Sequence, residues 1–394
     1  MTDRSRRALA VCRHVSLGLA ALLSLPGPAP AATAERAPAL RGSDFSPIAA
    51  AAQAEVDAGR IPGAVVLIGT AQRTLYRQAF GNRVLKPARE PMRTDTIFDL
   101  ASLTKVVATT PAIMQLVQQK KLALDAPAAR YWREFAAGGK SAITIRNLLT
   151  HYSGLAADLD LSSEWSGYDT AMAIIVAAMP VTEPGKRYLY SDMNFEVLGE
   201  LVHRVSGETL DRYAAKHIFA PLRMPDTRFL LPDGMRSRIA PTEDYGGHVH
   251  WGDVHDATAR WMGGVAGHAG LFSTADDLAA YARMMLRGGA WRGARILRAQ
   301  TIKAMTHRAS PAGGARARGL GWDLGGTDGY ARFPEGTYGH LGFTGTMIWI
   351  DPAAGVFAIV LTNRVYPDGK GDADPLRKAV IATVMDAIKL RAPH

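Results

Sequence analysis

The sequence predicts an α/β (α+β) chain: an antiparallel sheet flanked by helices, with an inserted, mostly helical lobe. Three observations predict it. Apolar runs of strand character lie near the start of the chain and again near its end. Helical segments broken by Gly and Pro fill the stretch between them. No repeat at a fixed period is present, so the end strands must come together into one sheet rather than stack as repeats.

The elements follow in order. A helix is predicted from about Ser46 to Ala58. The runs 64–69 and 74–80 read as a hairpin. A buried helix opens near Ser102, because residues 106–114 carry no charge. From Leu124 to His268 the pattern is helical, as in Thr170–Ala178 and Phe195–Val205. Another helix covers Asp277–Leu286. Segments 319–324, 339–350 and 356–363 read as strands, and a closing helix runs from about Leu376 to Leu390. The expected division is a sheet lobe of residues 45–123 plus 269–392 and a mostly helical lobe of residues 124–268. A cleft between lobes is where ligands usually sit.

Residues 1–31 read as an export signal. Arg4, Arg6, Arg7 and Arg13 make a basic start, and Val15–Leu25 is an apolar stretch too short to span a bilayer. Ala29-Pro30-Ala31 has the small-x-small form of a cleavage site. Residues 32–44, rich in Ala, Pro and Arg, read as a linker. The expected location is therefore outside the cytoplasm, in the periplasm. The only cysteine, Cys12, lies in the signal, so the mature chain has neither a disulfide nor a cysteine nucleophile. Net charge is +10, and removing residues 1–31 leaves +7. No basic run interleaved with aromatics points to nucleic acid. After the signal no apolar run is long enough to cross a membrane.

Ser102-Leu103-Thr104-Lys105 places a hydroxyl and an amine three residues apart, side by side on one helix face. A serine nucleophile whose base is lysine needs that placement. A chain of this length contains roughly one Ser-x-x-Lys by chance, so the pattern carries weight only with company. Two further segments supply it. Tyr190-Ser191-Asp192 lies 88 residues downstream, before an apolar run, and His340-Leu341-Gly342 lies 150 residues beyond Tyr190.

With these three segments in this order, the chain resembles the serine β-lactamase and penicillin-binding-protein superfamily. The nearest branch holds class C β-lactamases, D-alanyl-D-alanine carboxypeptidases and family VIII esterases. The resemblance runs from about Ile48 to Ile388. It includes the connecting phrases 145–155, Glu183-Pro184-Gly185 and 267–278. It implies a β-lactamase/transpeptidase-like fold and hydrolysis through an acyl-enzyme.

Carried onto this sequence, the resemblance makes Ser102 the nucleophile, Lys105 its proton partner and Tyr190 a relay to the leaving group. Asp192 stands where the family more often has Asn, and is expected to hold Lys105. An ionised Asp keeps Lys105 protonated, which moves the base role toward Tyr190. The frame Ser191-Asp192-Met193 is less apt, because Met193 cannot hydrogen-bond like Asn. His340 would add a hydrogen bond or partial charge at the cleft edge. Gly342 would let substrate lie against the strand. The N–H groups of Ser102 and Phe343 would form the oxyanion hole. The middle residue of the third motif, usually Thr or Ser, is Leu341. Its missing hydroxyl weakens the case for a substrate carboxylate, with Thr344 the candidate substitute.

The expected substrate is a peptidoglycan peptide, a β-lactam or a small ester. The alternative is a wall-peptide-binding protein that does not turn over. No cofactor and no metal are expected. His248, His250, Asp253, His255 and Asp256 cluster in sequence, but their spacing matches no metal motif. His151 and His268 are read as structural.

Overall fold

Gly63–Thr70 and Val356–Thr362, nearly 300 residues apart in sequence, are neighbours in one sheet. The computed structural model describes residue 40 and residues 43–245, 248–326 and 333–390. The expected signal and nearly all of the linker lie outside the described residues. The sheet has seven strands, all pairing antiparallel. Their order is Asp323–Leu324, Tyr338–Leu341, Met347–Asp351, Val356–Thr362, Gly63–Thr70, Thr74–Val84 and Glu90–Pro91.

The central strands read as unbroken apolar runs because both faces are covered. Val65 and Leu67 point into one core with Ile359 and Leu361. Ala64, Val66 and Ile68 point into a second core with Ala358 and Val360. The second core is closed by the helices Ser46–Asp57 and Asp374–Lys389, through Ile48, Ala52, Leu376, Val380 and Val384. The helix Ala275–Leu286 covers the first face. That core continues into the helices Ile145–Thr150, Tyr168–Ala177 and Met193–Ser206.

Three expectations need correction. The run 339–350 is two strands, Tyr338–Leu341 and Met347–Asp351, joined by a reversal. Gly345 takes φ +107° there, a conformation the apolar pattern does not reveal. The run 319–324 forms a strand only at Asp323–Leu324. The helix after Ser102 also begins differently: Lys105–Thr109 is a π-helical turn, and α-helix follows from Thr110 to Gln118. Pro111 has no N–H for an α-type bond, and the wider turn accommodates it.

Among the described residues no helix is long and apolar enough to cross a membrane.

Candidate active site

Ser102 stands at the entrance to the π-helical turn. Phe98–Asp99 pairs with Phe272–Ser273, and the Leu100 N–H donates to Leu271 O at 2.9 Å. Ala101 then turns the chain with φ +46°, costly for a residue with a Cβ. The Ala101 N–H donates to Asp99 Oδ1 at 2.8 Å and steadies that turn. Thr104 locks the next one: its hydroxyl donates to Ala101 O at 2.7 Å and accepts from the Leu271 N–H at 3.1 Å.

Lys105 reaches back to Ser102. Its Nζ lies 2.9 Å from Ser102 Oγ, 2.6 Å from Asp192 Oδ1 and 3.0 Å from His268 O. The side chain is wholly buried. Burial alone would lower its pKa, but Asp192 and Tyr190 overcome that and raise it above the usual lysine range. Three oxygen acceptors for three ammonium hydrogens is the arrangement of a lysine that rests as a cation.

Tyr190 and Asp192 arrive from the start of the helix Met193–Ser206. The Asp192 N–H donates to Ala157 O at 2.6 Å, and Ser191 Oγ donates to Ala156 O at 2.5 Å. Tyr190 sits against both: the Lys105 ammonium lies 5.1 Å from its ring centroid, and Ser102 and Lys105 each favour its ionised form. Burial raises its pKa, and Lys105 pulls against that rise. His151, in the left-handed conformation at φ +60°, stacks on the Tyr190 ring with centroids 4.4 Å apart. His151 Nδ1 accepts the Ser191 N–H at 3.1 Å. Burial and the cations Arg318 and Lys105 hold this imidazole neutral, well below the usual histidine range. Its contact with Tyr190 is part of the site that the sequence did not disclose.

The third motif is bolted to the segment before Ser102. Thr344 Oγ1 donates to Asp99 O at 2.7 Å, and Thr346 Oγ1 donates to Leu100 O at 3.0 Å. A Cβ on Gly342 would stand 2.5 Å from Leu100 O and 2.0 Å from Thr346 Oγ1, so only glycine fits. Buried Arg377 grips the same reversal, donating to Gly342 O at 2.7 Å and Thr346 O at 2.8 Å. Among the described residues neither the Ser102 N–H nor the Phe343 N–H has an acceptor. Both residues line one cleft of about 870 Å³, with Tyr190, Asp192, Asp256, Leu341 and Gly342.

Three expected placements change. His340 is 2 % exposed and lies behind the cleft rather than at its edge; burial, opposed by Asp323, lowers it to about 4. Its strand alternates, so Leu341 faces the cleft instead. Gly342 keeps its expected place on the cleft wall and also makes room for the Leu100 carbonyl, whereas Thr344 is buried with its hydroxyl spent on Asp99. The 248–256 stretch divides. His248, His250 and Asp253 stay together, with ligand-type atoms within 4.8 Å of one another. His255 instead bonds Glu243 at 2.9 Å and stacks on Phe343, centroids 5.7 Å apart. Asp256 turns inward to His268, which the sequence reading treated as structural. No spacing rule joins residues twelve apart through a loop.

The model of the Beta-lactamase family matches residues 48–383. A protein of Escherichia coli O157:H7 named "Putative D-alanyl-D-alanine carboxypeptidase" is 34 % identical over 356 residues, 79 % of this chain and 80 % of that one. EstCE1, described as a hydrolase with promiscuous acyltransferase activity, superposes with a TM-score of 0.70. It is 25 % identical, over 87 % of this chain and 97 % of that chain. A penicillin-binding protein homolog from Caulobacter crescentus shares the fold with a TM-score of 0.73 at 22 % identity, over the same shares. The chain belongs to the Beta-lactamase family and is a hydrolase of the β-lactamase/transpeptidase-like fold.

Proposed function

We propose that this chain is an exported serine hydrolase that acylates at Ser102 and releases the acyl group to water. One observation carries the reading: the Lys105 ammonium donates to Ser102 Oγ, Tyr190 packs against that ammonium, and beside them, among the described residues, two N–H groups have no acceptor. The base is the Tyr190–Lys105 pair after loss of one proton, a property of the pair rather than of either residue. As Ser102 Oγ attacks the carbonyl carbon, its proton passes to that pair. The Ser102 and Phe343 N–H groups stabilise the developing oxyanion. The pair then protonates the departing amine or alcohol, leaving the acyl-enzyme. Water repeats the sequence and frees the acid. Asp192 fixes Lys105 throughout.

The substrate we infer is a peptidoglycan-derived peptide or a small ester, ahead of a β-lactam. The carboxypeptidase name of the Escherichia coli relative favours the peptide. Leu341, where a carboxylate-binding hydroxyl would stand, counts against penicillins and against a terminal D-alanyl carboxylate alike, which keeps the small ester beside the peptide. The basic start and the apolar stretch of residues 1–31 support export to the periplasm. We also infer the two-lobe division, with the cleft at the junction of residues 45–123 plus 269–392 and residues 124–268.

Turnover of p-nitrophenyl esters and of acyl-D-alanyl-D-alanine, lost in Ser102→Ala, is the expected result. A stable adduct without turnover would favour the binding-protein alternative. Undiminished turnover in Ser102→Ala would overturn both.

A further inference from the structure

Beneath Lys105 lies a second buried charge cluster that the catalytic steps do not use. His268 is 1 % exposed. Its carbonyl accepts from Lys105 at 3.0 Å, while its ring points to two carboxyl groups. His268 Nε2 is 2.9 Å from Asp256 Oδ1, and Nδ1 is 3.4 Å from Glu196 Oε1. Glu196 is fully buried, and among the described residues neither of its oxygens has a hydrogen-bond partner. Ligand-type atoms of Asp192, Asp256 and His268 all lie within 4.8 Å of one another.

The placement is enforced by backbone. Gly267 sits where a Cβ would stand 1.8 Å from Phe195 O, so this loop presses directly on the helix that carries Glu196. Thr109 Oγ1 donates to Gly267 O at 2.6 Å and ties the loop to the Lys105 turn. Asp256 caps its own short helix by accepting the Ala259 N–H at 2.8 Å, which aims its other contact at His268.

The groups facing His268 are therefore Asp256, Glu196 and Asp192, with Asp158 behind them and Lys105 as the other cation. Four carboxyl groups around two cations cannot all ionise in a buried space. Burial, with Asp158, Asp192 and Asp256, pushes Glu196 up to about 8, so it is a neutral acid at pH 7. Burial works against the His268 imidazolium, but Asp256 and Asp192 hold it up to about 9.

We propose that His268 is a positioning residue: held by Asp256 and packed against Glu196, it keeps a second positive charge against Asp192 and so tunes how readily the Lys105–Tyr190 pair gives up a proton. Asp192 is shared between two cations. An imidazolium on its far side weakens its hold on the ammonium and lowers the proton affinity of the catalytic pair. Removing that charge strengthens the hold, so the pair is poised as a base only at higher pH. This rests on the acyl-enzyme reading of Ser102.

The test is the pH profile of kcat/KM for p-nitrophenyl butyrate, in the mature wild type and in His268→Gln. The acid limb of the variant should move upward by about one pH unit, about a tenfold loss at any pH on that limb. A variant whose activity falls uniformly, with its limb unmoved, overturns the proposal and makes His268 merely structural. Should His268→Gln fail to fold, histidine ring ¹⁵N–¹H spectra of the wild type answer the same question. A buried imidazolium with both ring N–H groups must persist at pH 8, and its absence overturns the proposal. Turnover retained in Ser102→Ala overturns the acyl-enzyme reading and this inference together; an unmoved limb with Ser102 essential overturns this inference alone.

Discussion

Lys105 and Asp192 form a 2.6 Å ion pair in which the lysine side chain has no solvent exposure and the aspartate keeps 21 % of its own. The pair spans two elements, the π-helical turn and the start of the helix Met193–Ser206, so it fixes Ser102 relative to Tyr190. Asp192→Ala leaves a buried ammonium with two neutral acceptors. It is expected to lower unfolding free energy by about 3 kcal/mol in urea titrations. Asp192→Asn keeps a hydrogen bond and should lose less than half of that. Equal losses in the two variants would contradict the ionic role.

Gly342→Ala tests the junction between the third motif and the nucleophile. The new Cβ would collide with Leu100 O and Thr346 Oγ1 and push Phe343 away from Ser102. A loss of kcat of about a hundredfold is expected, the usual cost of one oxyanion donor. Overpacking should cost a further 1–3 kcal/mol or about that in stability. Unchanged ester kinetics would remove the Phe343 N–H from the oxyanion hole.

Leu341→Thr restores a hydroxyl to the cleft wall. Acylation by a fluorescent penicillin should rise about tenfold or more, the worth of one hydrogen bond to a charged group. Hydrolysis of a neutral p-nitrophenyl ester should stay within about threefold. Equal changes for both substrates would show that residue 341 does not sense the carboxylate.

Stability should fall on the alkaline side. Glu196 is raised to about 8 and His268 to about 9 in the folded protein. Between pH 6.5, the ordinary histidine value, and about 9 the folded state holds more protons than the unfolded chain, so unfolding free energy drops as pH rises. Urea midpoints taken at pH 6.5, 7.5 and 8.5 should decrease in that order, and Glu196→Gln should flatten the trend. A rising series would contradict a buried neutral Glu196.

The central strands and the hairpin were legible because a doubly covered sheet writes itself as unbroken Val, Ile and Leu. Helices such as Met193–Ser206 were legible from their apolar period. Ser102, Lys105, Tyr190 and Asp192 were readable as a set because their types and spacing are chemically constrained. His340 was misplaced because strand alternation, not motif position, decides which side chain meets the cleft. The reversal at Gly345 and the π turn at Lys105 depend on local backbone conformation that hydrophobic pattern does not encode. The Asp256–His268–Glu196 cluster depends on three loops and helices meeting, which no single stretch of sequence records.

Intact-protein mass spectrometry after brief exposure to p-nitrophenyl acetate tests the central claim most directly. One added acetyl group is expected, mapped by peptide digestion to Ser102, decaying with time and absent in Ser102→Ala. An acyl group carried on any other residue, or label persisting in Ser102→Ala, would contradict it.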